Sequence, residues 1–176
     1  MITNNGRRRR RARRILTAAG AVLATGVTLA ATNSPALAWS LPTVCSGQQA
    51  ANACLSGYTP GNHMIQVHVG IDVYMSRQDA DAILAQPGNA FSARMWGADP
   101  SFDDWLDAPL TLTWEASWDG GISAEFDTLV PAWKLDEDDS FFDNKDDLFA
   151  RVTLHDFRFG SRSFDTGQWH IYADAQ

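Results

Sequence analysis

The sequence predicts an all-β fold, an antiparallel β-sandwich of about six to eight strands with one short helix. Three observations predict it. Apolar and polar residues alternate in several segments, as expected of half-buried strands. Asp119-Gly120-Gly121 is a hairpin signal between two of these segments. Helical spacing of apolar residues occurs in one short segment only, so the strands are expected to pack on each other rather than on helices.

The clearest strand is "MIQVHVGIDVYM", residues 64–75, which alternates without interruption. Its apolar side is expected to face the core, and its polar side, with Gln66, His68, Asp72 and Tyr74, to face solvent. Later segments alternate in the same way and are expected to place these residues on their core faces: Phe91, Ala93 and Met95; Leu110, Leu112, Trp114 and Ala116; Ile122, Ala124 and Phe126; Leu148, Ala150, Val152 and Leu154; Trp169 and Ile171.

The short helix is expected in "SRQDADAILA", residues 76–85. Ser76 is a capping residue, and Asp79 follows it three positions later, as in a capping box. Ala80 and Ile83 share one face of the helix, and "QPGN" after them ends it.

Residues 1–38 are typical of a cleaved signal peptide. Seven arginines precede an apolar segment, and Ala36-Leu37-Ala38 matches a signal-peptidase site. The alternative is a membrane anchor, but the apolar segment is short for the roughly 20 apolar residues of a span. Arg13-Arg14 leaves both the twin-arginine and the general secretory route open. The sequence therefore predicts a secreted, extracellular protein.

Cleavage would leave 138 of the 176 residues, with 7 basic and 21 acidic residues and a net charge of −14. Such a chain repels nucleic acid, and no further membrane span is readable. Its two cysteines, Cys45 and Cys54, are expected to form a disulfide in an oxidising compartment. We expect residues 39–62 to form a leader tied by this bridge, and residues 63–176 to form the β-sandwich domain.

Acidic residues are concentrated in two loops. The first, residues 97–109, contains Asp99, Asp103, Asp104 and Asp107; the second runs from Asp136 to Asp147, where seven of twelve residues are acidic. Strand parity brings the loops together if the chain stays extended through Pro131, and separates them if Pro131 makes a full turn. Crowded carboxylates repel one another, and calcium, with its 6–8 oxygen ligands, removes that penalty.

The segment from Asp136 to Phe149 resembles the third calcium loop of C2 domains. An Asp-x-Asp pair, Asp136 and Asp138, ends one strand, and Asp146-Asp147-Leu148-Phe149 opens the next. C2 domains usually have Gly where Phe149 stands, and the "SDPY" motif of their first loop is absent here, so lipid binding is not implied. The ligands expected for calcium are Asp136, Asp138 and Asp146, with Asp99 and Asp104 from the first loop and Asp147 orienting or completing the site. The alternative is a pair of solvated acidic loops that keep the protein soluble.

Other residues give weaker signals. His63, His68, His155 and His170 lack a zinc-binding motif, and Asp72, Glu125 and Asp127 offer glycosidase-type carboxylates that spacing alone does not select. Trp114, Phe126 and Trp169 are expected in the core. Trp96, Trp105, Trp118 and Trp133 fall at strand ends or in loops, where they would cover the core or form a platform for sugar rings or a protein partner.

Together these features predict a secreted β-sandwich that binds calcium or is stabilised by it and serves as a binding or interaction module, with a protein or a carbohydrate as partner. The catalytic alternatives are a secreted hydrolase, whose site the sequence does not reveal, or a hydrolase inhibitor. A third alternative is an acidic envelope protein without a metal.

Overall fold

The computed structural model describes residues 39–98, 103–136 and 145–172, which form two antiparallel sheets. The first sheet has the order β1 (Trp39–Cys45), β2 (Ala51–Gly61), β3 (Met64–Tyr74), β7 (Gly121–Pro131) and β6 (Thr111–Trp118). The second has the order β10 (Trp169–Tyr172), β8 (Lys145–Leu154), β4 (Phe91–Gly97) and β5 (Asp104–Pro109), and β9 (Arg162–Asp165) pairs with β8 next to β10. One helix, α1 (Arg77–Leu84), and a 3₁₀ turn (Ala132–Lys134) complete the described elements.

The predicted fold class, an all-β sandwich with one short helix, is confirmed. Alternation of apolar residues accounts for the core, because the residues expected to point inward on β3 are almost fully buried between the sheets. The helix begins as expected: the Ser76 hydroxyl accepts a hydrogen bond from the backbone N–H of Asp79 at 3.2 Å, and Ala80 and Ile83 are buried. No helix in the described ranges is long and apolar enough to cross a membrane.

The segment that we expected to be a leader, residues 39–62, contributes two strands to the first sheet. β2 pairs with β3 from Ala51 opposite Val73 to Gly61 opposite Met64, and Asn62 and His63 connect them with positive φ angles of 58° and 56°. The structure therefore has no boundary between a leader and a sandwich at residue 62. The described chain has ten strands rather than six to eight, partly because the inward positions of β2 carry small residues that give a weak hydrophobic alternation.

The predicted disulfide between Cys45 and Cys54 is confirmed. The two cysteines lie opposite each other on β1 and β2, so the bridge holds the edge strand of the first sheet to its neighbour. Trp169 holds the same edge from the other sheet, since its indole N–H donates to the carbonyl of Pro42 at 2.6 Å.

The core position predicted for Trp114 is wrong. The register between β6 and β7 shifts between Leu112 and Trp114, so that Leu112 faces Phe126 in the core while Trp114 lies on the solvent side, 49% exposed. Thr113 is the extra residue of a β-bulge, and a bulge of one residue reverses the inward and outward positions that follow it. Beyond the bulge, Glu115 accepts a hydrogen bond from the backbone N–H of Ala90 at 3.1 Å.

The turn after β8 is tied to helix α1 by Asp156, which is 3% exposed. Its carboxylate accepts hydrogen bonds from the backbone N–H of Arg158 at 3.0 Å and from the Arg158 guanidinium at 3.2 Å. The same guanidinium donates to Asp79 of α1 at 3.2 Å. The hydrogen bonds from the Arg158 side chain hold the pKa of Asp156 below its usual value.

We expect Asp156→Asn to lower the free energy of unfolding at pH 7 by about 1–2 kcal/mol, a figure kept small because Arg158 is partly exposed. Since the folded pKa is depressed, the stabilisation exists above the unfolded value of roughly 3.9 and disappears as the pH falls through the folded value. Urea unfolding of wild type and variant at pH 7, 5 and 3 would measure this. A destabilisation of the same size at all three pH values would contradict the charge-based account.

Candidate functional site

The two acidic segments flank the same end of β4 where the structure describes them. Gly97 pairs with Asp104 of β5 on one side and with Leu148 of β8 on the other. The backbone N–H of Ala98 donates to the carbonyl of Asp147 at 2.7 Å. Asp104, Asp146 and Asp147 therefore lie at one end of the second sheet, whereas Asp99 and Asp138 lie outside the described residues.

Several carboxylates of the two segments contact Lys, Arg or His side chains from distant parts of the sequence. Asp107 accepts from Lys134 at 2.6 Å, Asp103 from Arg151 at 3.3 Å, and Asp147 lies 2.5 Å from Nδ1 of His170. Of the other predicted ligands, Asp136 is exposed, two residues after Lys134. Asp146 is buried. Within the described ranges, no three or more His, Cys, Asp or Glu side chains are grouped to hold a metal ion. Calcium binding by Asp136, Asp138, Asp146, Asp147, Asp99 and Asp104 stays a prediction.

A second candidate site lies on the solvent side of the first sheet, which we call the outer face. Every second residue of four neighbouring strands points to it, and these residues are mainly polar or aromatic. The outer face comprises Asn52, Cys54, Ser56 and Tyr58 of β2; Gln66, His68, Gly70, Asp72 and Tyr74 of β3; Ser123, Glu125, Asp127 and Leu129 of β7; and Trp114, Ala116 and Trp118 of β6.

The centre of the outer face is a depression above Gly70 with a volume of about 330 Å³. It exists because Gly70 has no side chain: a Cβ atom at this position would meet only Nε2 of His68, at 3.9 Å. Trp114 forms one wall, directly opposite Glu125 across the β6–β7 pair. The polar side chains that line the depression are Asn52, Asp72, Ser123 and Glu125.

A second depression of about 620 Å³ lies next to the first, two residues further along the strands. Ser56, His68 and Asp127 form one row across β2, β3 and β7 here. Nδ1 of His68 lies 3.0 Å from Asp127, whose other oxygen accepts a hydrogen bond from Thr113 at 3.1 Å. These strands are internal to the sheet, and their ladders occupy the backbone N–H groups that a serine nucleophile would need as oxyanion donors. The row is therefore better suited to binding than to acyl transfer.

Negative charge dominates the outer face. Asp72, Glu125 and Asp127 lie on it, and no Lys or Arg is among the described residues that line either depression. Two of these carboxylates are held in place: Ser123 donates to Asp72 at 2.5 Å, and Thr113 and His68 hold Asp127. The face thus presents fixed hydrogen-bond acceptors to solvent.

The tryptophans that we expected at strand ends or in loops do not share one surface. Trp118 lies on the outer face and packs edge to face on Tyr74, with ring centroids 6.4 Å apart. Trp96 and Trp105 lie opposite each other in the second sheet, and Trp133 lies in the 3₁₀ turn. Sequence reasoning missed the aromatic that matters most to the outer face, Trp114, because no Gly or Pro marks the bulge at Thr113.

No family model matches this chain, and no match was found among curated proteins or solved structures. The fold and the outer face define a β-sandwich protein with a polar and aromatic sheet face.

Proposed function

We propose that this chain is an exported binding module that holds its ligand on the outer face, and that calcium at the acidic end of the second sheet stabilises it. The observation that carries the binding role is the bulge at Thr113, which turns Trp114 out of the core and places it beside a polar depression. Bulges are over-represented next to functional sites, where they re-aim a side chain.

The outer face has the physical properties of a binding site. An exposed tryptophan is costly to leave in water, and aromatic side chains are enriched where ligands and partners are bound. Two of the acceptors, Asp72 and Asp127, lie on internal strands and are held by the hydroxyls of Ser123 and Thr113, so a ligand would not have to order them on binding. The small-molecule sites of proteins have volumes of about 300–1,000 Å³, and both depressions fall in this range.

Two features support export. The basic and apolar pattern of residues 1–38 is typical of a signal peptide, although these residues lie outside the described part of the chain. The disulfide between Cys45 and Cys54 is of the kind that persists in oxidising compartments.

A side chain added at Gly70 tests the binding role, because it would occupy the central depression, where its Cβ atom would meet nothing closer than Nε2 of His68, at 3.9 Å. Wild type and Gly70→Leu are compared against a panel of insoluble polysaccharides and immobilised proteins. We expect the variant to keep the wild-type melting temperature and to lose at least tenfold in affinity for whichever ligand the panel identifies. Ser163→Leu, which adds the same side chain to an exposed position on β9, is the control and should bind as wild type. Equal binding by Gly70→Leu and wild type would rule out the outer face.

A hydrolase is the second candidate, favoured by the placement of Asp72 and Glu125 in one depression. Asp72 pairs with Ser123, so Glu125 is its diagonal neighbour on β7, with Cα atoms about 7–8 Å apart. Carboxyl groups at such positions can span the roughly 5–9.5 Å of glycosidase pairs. Glu125→Gln separates the two roles, since it would abolish product formation in a hydrolase while leaving a pure binding module able to hold its ligand.

A further inference from the structure

We infer that the ligand of the outer face is a chain of pyranose sugars, neutral or amine-bearing, with one ring held above Gly70 against Trp114. This inference rests on the proposed binding role and names the class of ligand. It starts from the central depression, where the exposed ring of Trp114 and several hydrogen-bonding side chains surround Gly70, which has no side chain.

A pyranose ring has an apolar face of C–H groups and a rim of hydroxyls, and the depression offers a partner to each. The indole of Trp114 is a large flat apolar surface that remains half exposed. Around it, Asp72 and Glu125 accept hydrogen bonds from hydroxyls, and the amide of Asn52 both donates and accepts. The missing side chain at Gly70 lets a ring approach the sheet, which a larger residue would prevent.

The outer face is long enough for several rings. From Gln66 to Tyr74, β3 covers eight residue steps, or about 27 Å. Trp114 and Trp118 lie on this face four residues apart on β6, or about 13 Å, with Trp118 supported by Tyr74. The second depression, with His68 and Asp127, lies on the side of the first depression that is away from Trp118. A chain of rings that crosses the strands obliquely, from Trp118 on β6 towards β2, would therefore contact two aromatic side chains and both depressions.

The charge of the face selects among sugar chains. Asp72, Glu125 and Asp127 create a negative potential, and no Lys or Arg among the described lining residues offsets it. Polyanionic chains, such as those of uronic acids, would be repelled, and a protonated amine on the sugar would be attracted. The attraction to an amine is electrostatic and should weaken with salt, whereas binding of a neutral chain should not.

Isothermal titration calorimetry on the disulfide-bonded protein tests this with four hexasaccharides. They are the hexamers of glucosamine, of N-acetylglucosamine and of galacturonic acid, and cellohexaose. We expect the glucosamine hexamer to bind at least as tightly as the two neutral hexamers. The galacturonic acid hexamer should bind at least tenfold more weakly than the neutral hexamers. Raising the sodium chloride concentration from 50 to 500 mM should weaken the binding of the glucosamine hexamer and leave the binding of the neutral hexamers unchanged. Trp114→Ala should weaken binding at least tenfold.

Trp133→Ala is the matched control, because Trp133 is also exposed but lies in the 3₁₀ turn; it should change affinity less than twofold. If Trp114→Ala fails to fold, Gly70→Leu replaces it and should also weaken binding at least tenfold. Unchanged binding by the folded variant, tight binding of the anionic hexamer, or no binding of any hexamer would overturn the inference. A protein ligand whose binding is lost in Gly70→Leu, with no hexamer bound, would overturn the sugar assignment but retain the binding role of the face.

Discussion

Trp169→Ala is expected to lower the free energy of unfolding by about 3–5 kcal/mol, the range of large-to-alanine replacements in a packed core. Trp169 belongs to β10 of the second sheet, has no exposed surface, and donates its indole N–H to Pro42 of β1 at 2.6 Å. Its ring also fills the space left by Gly57 of β2: a Cβ atom there would lie 2.9 Å from the edge of the indole. The side chain thus fastens the second sheet to the disulfide-bonded edge of the first.

Chemical and thermal unfolding would measure the effect, and a melting temperature lower by about 10 °C or more is expected for a domain of this size. Trp169→Phe retains an aromatic ring but removes both the donor to the Pro42 carbonyl and the indole edge that lies against Gly57; we expect a smaller loss of about 1–3 kcal/mol. Trp133→Ala, at a position 69% exposed, should change stability by no more than about 0.5 kcal/mol. Equal effects of the Trp169 and Trp133 substitutions would contradict this role for Trp169.

Strands with strong alternation could be predicted from the sequence because burial of large apolar residues alone decides them. On β3, Ile65 to Val73 alternate without a break, and the structure buries all five apolar positions. β2 was missed for the opposite reason. Its inward residues include Ala51, Ala53 and Gly57, whose small size gives little hydrophobic signal, and Gly57 is the position that Trp169 approaches closely.

The candidate binding face was less predictable, because it depends on a reversal of parity. Continued alternation on β6 would bury Trp114, and only pairing with β7 reveals that Thr113 is an extra residue. The hydroxyl of Thr113 lies 3.1 Å from both the Asp127 carboxylate and the carbonyl of Glu125 and shares its one proton between them, so cross-strand contacts accompany the bulge. Contacts of this kind join positions that are far apart in sequence, and a pattern within one strand does not reveal them.

The cationic partners of the two acidic segments could not be predicted from the local sequence. Lys145 is the only basic residue between Asp136 and Asp147, yet Lys134, Arg151 and His170 contact acidic residues of the two segments. Lys134 and Arg151 therefore make the repulsion among the described carboxylates smaller than the local sequence indicates. The prediction of a bound cation therefore rests on the density of acidic residues between the 3₁₀ turn and β8. These residues include Asp138, which lies outside the described residues.

Calcium is expected to raise the stability of the protein more than magnesium does at the same ionic strength. Extracellular modules bind calcium with dissociation constants of about 0.1–1 mM, and calcium at about ten to one hundred times that constant adds about 1.4–2.7 kcal/mol by mass action. For a domain of this size the melting temperature should rise by roughly 4–8 °C. Magnesium requires stricter octahedral geometry and loses its water reluctantly, so the aspartate-rich segments should bind it less well.

Thermal unfolding of the protein in about 10 mM calcium or magnesium chloride, with sodium chloride matching the ionic strength in the metal-free sample, separates ligation from screening of the acidic charge. Asp138→Asn should lose most of the calcium response, because Asp138 belongs to the Asp-x-Asp pair of the predicted site. Asp119→Asn removes the same charge from the exposed β6–β7 hairpin, where the side chain is 91% exposed, and should respond as wild type. Equal shifts with both metals, or an Asp138→Asn response equal to that of Asp119→Asn, would show that the acidic segment is a solvated loop whose charge only needs screening.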